Sequence, residues 1–179
     1  MKREQLLSSI EQYYTTRIRK FGPTHLGVDW NSKESQTLRF HQLLTPLSRI
    51  QTPDRNTVLL DFGCGYGGLL DHILEHNPES LKHITYLGYD ISQDMLTAAI
   101  ARHPDQHSGF IHDLGSVSAV DFVVASGIFN VKGQADTSTW TAHVEQTLDE
   151  LDHLSRRGFA FNMLTSYSDS EFMRDDLFY

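Results

Sequence analysis

The 179-residue chain has one cysteine, Cys64, so no disulfide can form within it. That is compatible with a reducing compartment, and the expected location is the cytoplasm. No apolar run reaches the roughly 18–20 residues that a membrane helix needs. The charged start Met1-Lys2-Arg3-Glu4-Gln5 is followed by no long apolar stretch, so a secretory signal is not expected. Cations are scarce: 15 Lys and Arg against 23 Asp and Glu leave a net charge of −8. An acidic chain is poorly suited to holding a phosphate backbone by charge. The one basic cluster, Arg17, Arg19 and Lys20, reads as a solvated helix end. Repeats, low-complexity tracts and interdomain linkers are also missing. A single domain over 1–179 is expected, with a helical cap over 1–52 and an α/β core over 53–179.

What is present alternates between helix and strand patterns. Lys2 to Lys20 spaces Leu6, Leu7, Ile10, Tyr13, Tyr14 and Ile18 as a helix would, and Gly22-Pro23 ends it. A loop over 21–31 follows, containing Gly22, Pro23, Gly27, Asp29 and Trp30. Asn31 or Ser32 can cap a second helix carrying Leu38, Leu43, Leu44, Leu47 and Ile50, with a kink or early end at Pro46. Beyond Pro53, Thr57 to Asp61 reads as a buried strand and Gly67 to His76 as a helix stopped by Asn77-Pro78. Ile84 to Tyr89 is a second strand, and Ser92 caps a helix through Arg102. Gly109 to His112 and Asp121 to Ser126 are further strands. A long helix opens at Asp136 or Ser138, runs to Arg156 and closes on Gly158. Phe159 to Leu164 is a fifth strand. This alternation predicts right-handed crossovers and a parallel sheet with helices on both faces.

The first strand runs into Asp61-Phe62-Gly63-Cys64-Gly65-Tyr66-Gly67-Gly68. Glycine there permits unusual backbone angles and lets a ligand touch the main chain. In an open α/β sheet, ligands sit at the carboxyl ends of the strands near the topological switch point. Gly63, Gly65 and Gly68 also satisfy G-x-G-x-x-G, the dinucleotide fingerprint. Asp61 in front of them would repel a pyrophosphate and suits an ammonium group instead.

The segments Val58 to Gly67 and Leu87 to Leu96, with Asp121 to Ser126, resemble the first motifs of the class I S-adenosylmethionine (SAM)-dependent methyltransferases. The likeness covers about residues 55 to 165. It implies a Rossmann-like fold, SAM as cofactor and a small-molecule methyl acceptor. Asp61 would then hold the methionine amino group, with water, while Gly63, Cys64 and Gly65 bring the backbone against the cofactor. Asp90 would accept both ribose hydroxyls. Ile91 and Met95 would pack on adenine, Asp113 and Leu114 would meet its edge, and Ser126 with Gly127 would floor the methyl site. Arg39 is a looser candidate for the methionine carboxylate. Tyr13, Tyr14, His25, Asn130 and Tyr167 are possible pocket residues, and no catalytic residue stands out.

His72-Ile73-Leu74-Glu75-His76 matches a zinc-protease pattern, but no third ligand emerges and no metal is expected. The loop over 21–30 is the candidate lid. The family's sheet ends in an antiparallel hairpin, and the fifteen residues after Leu164, helix-like over Ser168 to Asp176, are too few to form it. The fifth strand is therefore expected to be an edge, met by a homodimer partner or by the C-terminal segment. Two other functions fit less of the pattern: a nicotinamide-dependent oxidoreductase, and a non-catalytic SAM-binding protein.

Overall fold

The computed structural model describes residues 2–48, 57–76, 83–115, 117–167, 171 and 173–179. The expectations for Ile50, Pro53, Asn77, Pro78 and Ser168 lie outside them, as does the boundary at 52.

Among the described residues, five α-helices and five strands follow in order: α1 (Arg3–Phe21), α2 (Lys33–Ser48), β1 (Thr57–Phe62), α3 (Gly68–His76), β2 (Ile84–Tyr89), α4 (Gln93–Arg102), β3 (Phe110–Ile111), β4 (Val120–Ala125), α5 (Thr137–Leu154) and β5 (Ser155–Phe161). The sheet order is β3-β2-β1-β4-β5, with every strand pair parallel. The fold is Rossmann-like, as the alternation predicts. Period-two alternation divides the core between the two faces of the sheet. On one face, Leu59, Tyr86 and Val124 pack with Phe40 of α2, Leu70 of α3 and Ala99 of α4. On the other, Leu60 and Val123 pack with Leu6 of α1 and with Trp140 and Leu151 of α5.

The connection from β3 to β4 has no helix among the described residues. The N-terminal helix covers that part of the sheet: Leu6 and Ile10 join Leu87 and Leu114 in the second cluster. Arg3 pairs with Glu150 of α5 at 2.6 Å. At its far end Thr15 Oγ1 meets Ser92 Oγ at 2.7 Å, and Arg19 pairs with Asp94 at 2.5 Å. The cap is thus bound to the core at both ends of α1.

Helix α2 runs through Pro46 and is described as far as Ser48, two residues beyond it. The carbonyl that proline leaves without an N–H donor belongs to Gln42, on an exposed residue that water can reach. Two expectations are corrected. Helix α5 ends at Leu154, and Arg156 and Gly158 fall within β5. Strand pairing with β4 takes them: the register shifts between Val120 and Phe122, and Gly158 takes φ 138° at that point, open to glycine but not to other residues. The helix-like reading of the C-terminus fails over the described residues 173–176, where a turn leads to an antiparallel bridge between Leu177 and Val131. No strand pairs with the outer edge of β5 among the described residues.

Candidate active site

Between β1 and β4 the chain changes direction: α3 lies on one face of the sheet and α5 on the other. A cavity of about 420 Å³ opens at the carboxyl ends of these strands, within the roughly 300–1,000 Å³ usual for ligand pockets. Its walls are the glycine turn, the end of β2, the segment after β4, one stripe of α1, one stripe of α5 and the C-terminal residues.

The glycine turn is shaped by its own hydrogen bonds. Gly63, Gly65 and Gly67 have φ of 80°, 56° and 84°. The amides of Gly63 and Cys64 both donate to the Tyr89 carbonyl, at 2.8 and 2.9 Å, and that of Gly67 to Cys64 O at 3.0 Å. The Gly65 amide donates to Asp90 Oδ2 at 2.8 Å. A pyrophosphate site needs such amides free to point at the ligand. Here four are already engaged, which removes the main support for the dinucleotide reading. A Cβ on Gly63 would lie 2.4 Å from Ile128 Cγ2, so only glycine fits this turn.

Asp90 stands at the cavity wall, 8% exposed. Its Oδ1 accepts the Ser92 amide at 2.8 Å, which with the Gly65 bond leaves each oxygen a further lone pair. Burial raises its pKa to about 6, against the lowering effect of those two amides. Asp61 is buried behind the turn and does not line the cavity; it accepts Tyr86 Oη at 2.7 Å. Burial pushes its pKa up to about 7, opposed by the Tyr86 hydrogen bond and reinforced by Asp90.

Of the other site residues expected from sequence, Gly63, Gly65, Ile91, Met95, Leu114 and Ser126 line the cavity. Cys64 does not: it is buried among core residues, and burial raises its thiol pKa well above the ordinary value. Asp113 is exposed and bonds the Gly115 amide at 2.9 Å. Tyr14 and Asn130 are at the cavity, whereas Tyr167 is 95% exposed and Tyr13 bonds Asp29. His72 and His76 stack on one another at 4.2 Å, and no group of three possible metal ligands occurs among the described residues.

The 21–31 loop closes over the turn. Val28 sits where a Cβ on Gly65 would meet it at 3.0 Å, and Trp30 does the same over Gly127. Asp29, at φ 60°, anchors the loop by accepting Tyr13 Oη at 2.7 Å and pairing with Arg17 at 2.9 Å and Arg174 at 3.2 Å. The C-terminal segment is fastened beside it by Phe178 N–H to Asn130 O, 2.8 Å.

Sequence reasoning named Tyr14 but missed the rest of the deep wall. Arg3, Leu7, Ile10 and Tyr14 form one stripe of α1, and His143, Thr147 and Glu150 one stripe of α5. The available signal was a polar stripe beside the core positions Trp140, Val144 and Leu151. The charges that line the cavity pair as Arg3 with Glu150 and Arg174 with Asp29. Asp90 and Arg39 are left with no ion-pair partner among the described residues.

A parallel sheet of this order, with an acidic strand end beside a glycine turn at its switch point, defines a Rossmann-like cofactor-binding domain. The methyltransferase domain family matches residues 60–158. The chain belongs to that family, the class I SAM-dependent methyltransferases. It is similar to the Mycobacterium tuberculosis protein named "Putative methyltransferase Rv1506c", at 47% identity over 120 residues, 66% of this chain and 70% of that one. The solved structure of PH0226 from Pyrococcus horikoshii OT3 shares the fold at TM-score 0.51 and 19% identity, covering 86% of this chain and 75% of the other. YjhP from E. coli is also similar, at 19% identity and TM-score 0.49. The match covers 80% of this chain but only 51% of YjhP, so the chain spans about half that protein's length. No helix among the described residues is long and apolar enough to cross a membrane.

Proposed function

We propose that this chain binds SAM against the glycine turn and directs its methyl group to a small-molecule acceptor. The observation that carries this reading is the Asp90 carboxylate at the cavity wall, with one lone pair left on each oxygen, beside a backbone that only glycine permits. Asp90 takes the two ribose hydroxyls. Ile91, Met95 and Leu114 supply an apolar slot for adenine. Arg39, the lining cation without an ion-pair partner among the described residues, suits the methionine carboxylate. Asp61 acts from behind the turn, where its charge favours the ammonium group without touching it.

SAM supplies a methyl group already activated on a sulfonium. The residues of this chain have to align an acceptor and exclude water. The anchored 21–31 loop and the C-terminal residues do the second, by roofing the cavity. Ser126 and Gly127, at the end of β4, line its floor.

Calorimetry with S-adenosylhomocysteine (SAH) and with NAD tests the reading. Binding of SAH but not NAD is expected, and Asp90→Ala should abolish it. NAD binding, or SAH binding indifferent to Asp90, would overturn it. The lone buried cysteine suits the cytoplasm, our reading of its location. The outer edge of β5 is our proposed homodimer contact; light scattering that shows a monomer at all concentrations would refute it.

A further inference from the structure

The inner end of the cavity holds polar groups that the cofactor reading does not use. His143 is 8% exposed and Thr147 is 2% exposed. They stand one turn apart on α5, both at the cavity. His143 Nδ1 and Thr147 Oγ1 are buried without a hydrogen-bond partner, and so is the Nε of Arg3 opposite them. Buried polar groups are ordinarily satisfied, and each one left alone is destabilising. Four such atoms, counting Asn130 Oδ1, belong to residues that line this one cavity, which is a reason to look for a ligand.

The surroundings specify its chemistry. Leu7, Ile10, Phe62, Ile128 and Leu164 make the nearby lining largely apolar. The charged groups facing His143 are Arg3 of α1 and Glu150 of its own helix, and these two pair at 2.6 Å. Burial first, and then Arg3, lowers the pKa of His143, against the raising effect of Glu150, so its imidazole is neutral at neutral pH. Arg174, which also lines the cavity, is committed to Asp29 and Asp176. The cluster therefore has no net charge to offer. A ligand carboxylate or ammonium would bring an uncompensated charge into it. A hydroxyl, which both donates and accepts, satisfies a neutral imidazole and a threonine together.

We propose that His143 and Thr147 form the acceptor subsite, and that it takes a small, largely apolar molecule through an uncharged hydroxyl. The assignment rests on the methyltransferase reading, because it treats the remaining cavity as the cofactor's.

NMR titration of the SAH-loaded protein with phenol, benzoate and benzylammonium, at matched ring size, tests it. Phenol should bind at least tenfold more tightly than either ion. Thr147→Val and His143→Ala should each weaken phenol about fivefold to tenfold while leaving the SAH-induced rise in Tm unchanged. Valine keeps the shape of threonine, so the Thr147 variant serves should the histidine variant not fold. Benzoate or benzylammonium binding as well as phenol, or phenol binding that ignores both substitutions, overturns the subsite and leaves the cofactor reading standing. Failure of SAH itself to raise Tm refutes the cofactor reading, and the subsite with it.

Discussion

Replacing Asp61 by Asn should stabilise the ligand-free protein at alkaline pH. Asp61 is 2% exposed and its carboxylate has one side-chain hydrogen-bond partner, Tyr86 Oη. Its pKa stands at about 7 in the fold, against an ordinary 3.8. A folded-state value raised in this way means that stability from this group is present below pH 3.8 and is lost as pH rises through 7. The gap corresponds to roughly 4 kcal/mol of cost once the folded carboxylate is ionised. Asparagine keeps an oxygen to accept from Tyr86 but buries an amide donor, which takes back about 1–3 kcal/mol. A net gain of about 2 kcal/mol at pH 8 is expected, or about 4–8 °C in Tm for a chain of this size. The assay is thermal unfolding of both proteins from pH 4 to pH 8, without ligand. The gain should shrink as pH falls, vanish at about pH 5 and reverse by about pH 4, where only the cost of the buried amide is left. A variant less stable at pH 8, or equally stabilised at every pH, would refute the argument that a buried, partly neutral carboxylate is held behind the turn. The same variant should bind SAH more weakly, since the charge that favours the ammonium is gone.

Other substitutions test neighbouring parts of the site. Gly63→Ala places a Cβ 2.4 Å from Ile128 at φ 80°, and should cost about 2 kcal/mol or more in urea unfolding. Arg39→Ala should weaken SAH about tenfold by calorimetry but leave adenosine, which has no carboxylate, nearly unaffected. Asp29→Ala removes the anchor shared by Tyr13, Arg17 and Arg174, and should speed proteolytic cleavage between Phe21 and Trp30. Trp140→Phe loses the bond from its indole N–H to Phe129 O, 3.0 Å long and fully buried, and should destabilise by about 1–3 kcal/mol.

Much of the fold was legible because it rests on local patterns. Ile84 to Tyr89 and the Ser92 cap of α4 agree to the residue. Both are bounded by residues whose chemistry is short-range: a strand end at Asp90, and a hydroxyl that accepts the Met95 amide. The misses lie where distant partners decide. Helix propensity alone carries α5 on to Arg156; pairing with β4 ends it at Leu154 and fits an extra residue between Ser155 and Gly158. Residues 173–176 have a helix-like pattern, yet Leu177 gains its bridge to Val131 only by turning back over the cavity.

The sequence by itself determined the class: a strand running into glycines, with an acid at its end and a second acid at the end of the next strand. Those features follow from backbone sterics and charge, which a short segment carries with it wherever it folds. Only the tertiary structure decided which side chains share the cavity. It put Asp61 behind the turn rather than in the site, left Cys64 and Asp113 off the cavity wall, and brought Arg3, His143 and Thr147 together from opposite ends of the chain. The reason is geometric. A helix assigns every third or fourth residue to one face, but which face meets a cavity depends on the elements packed around it.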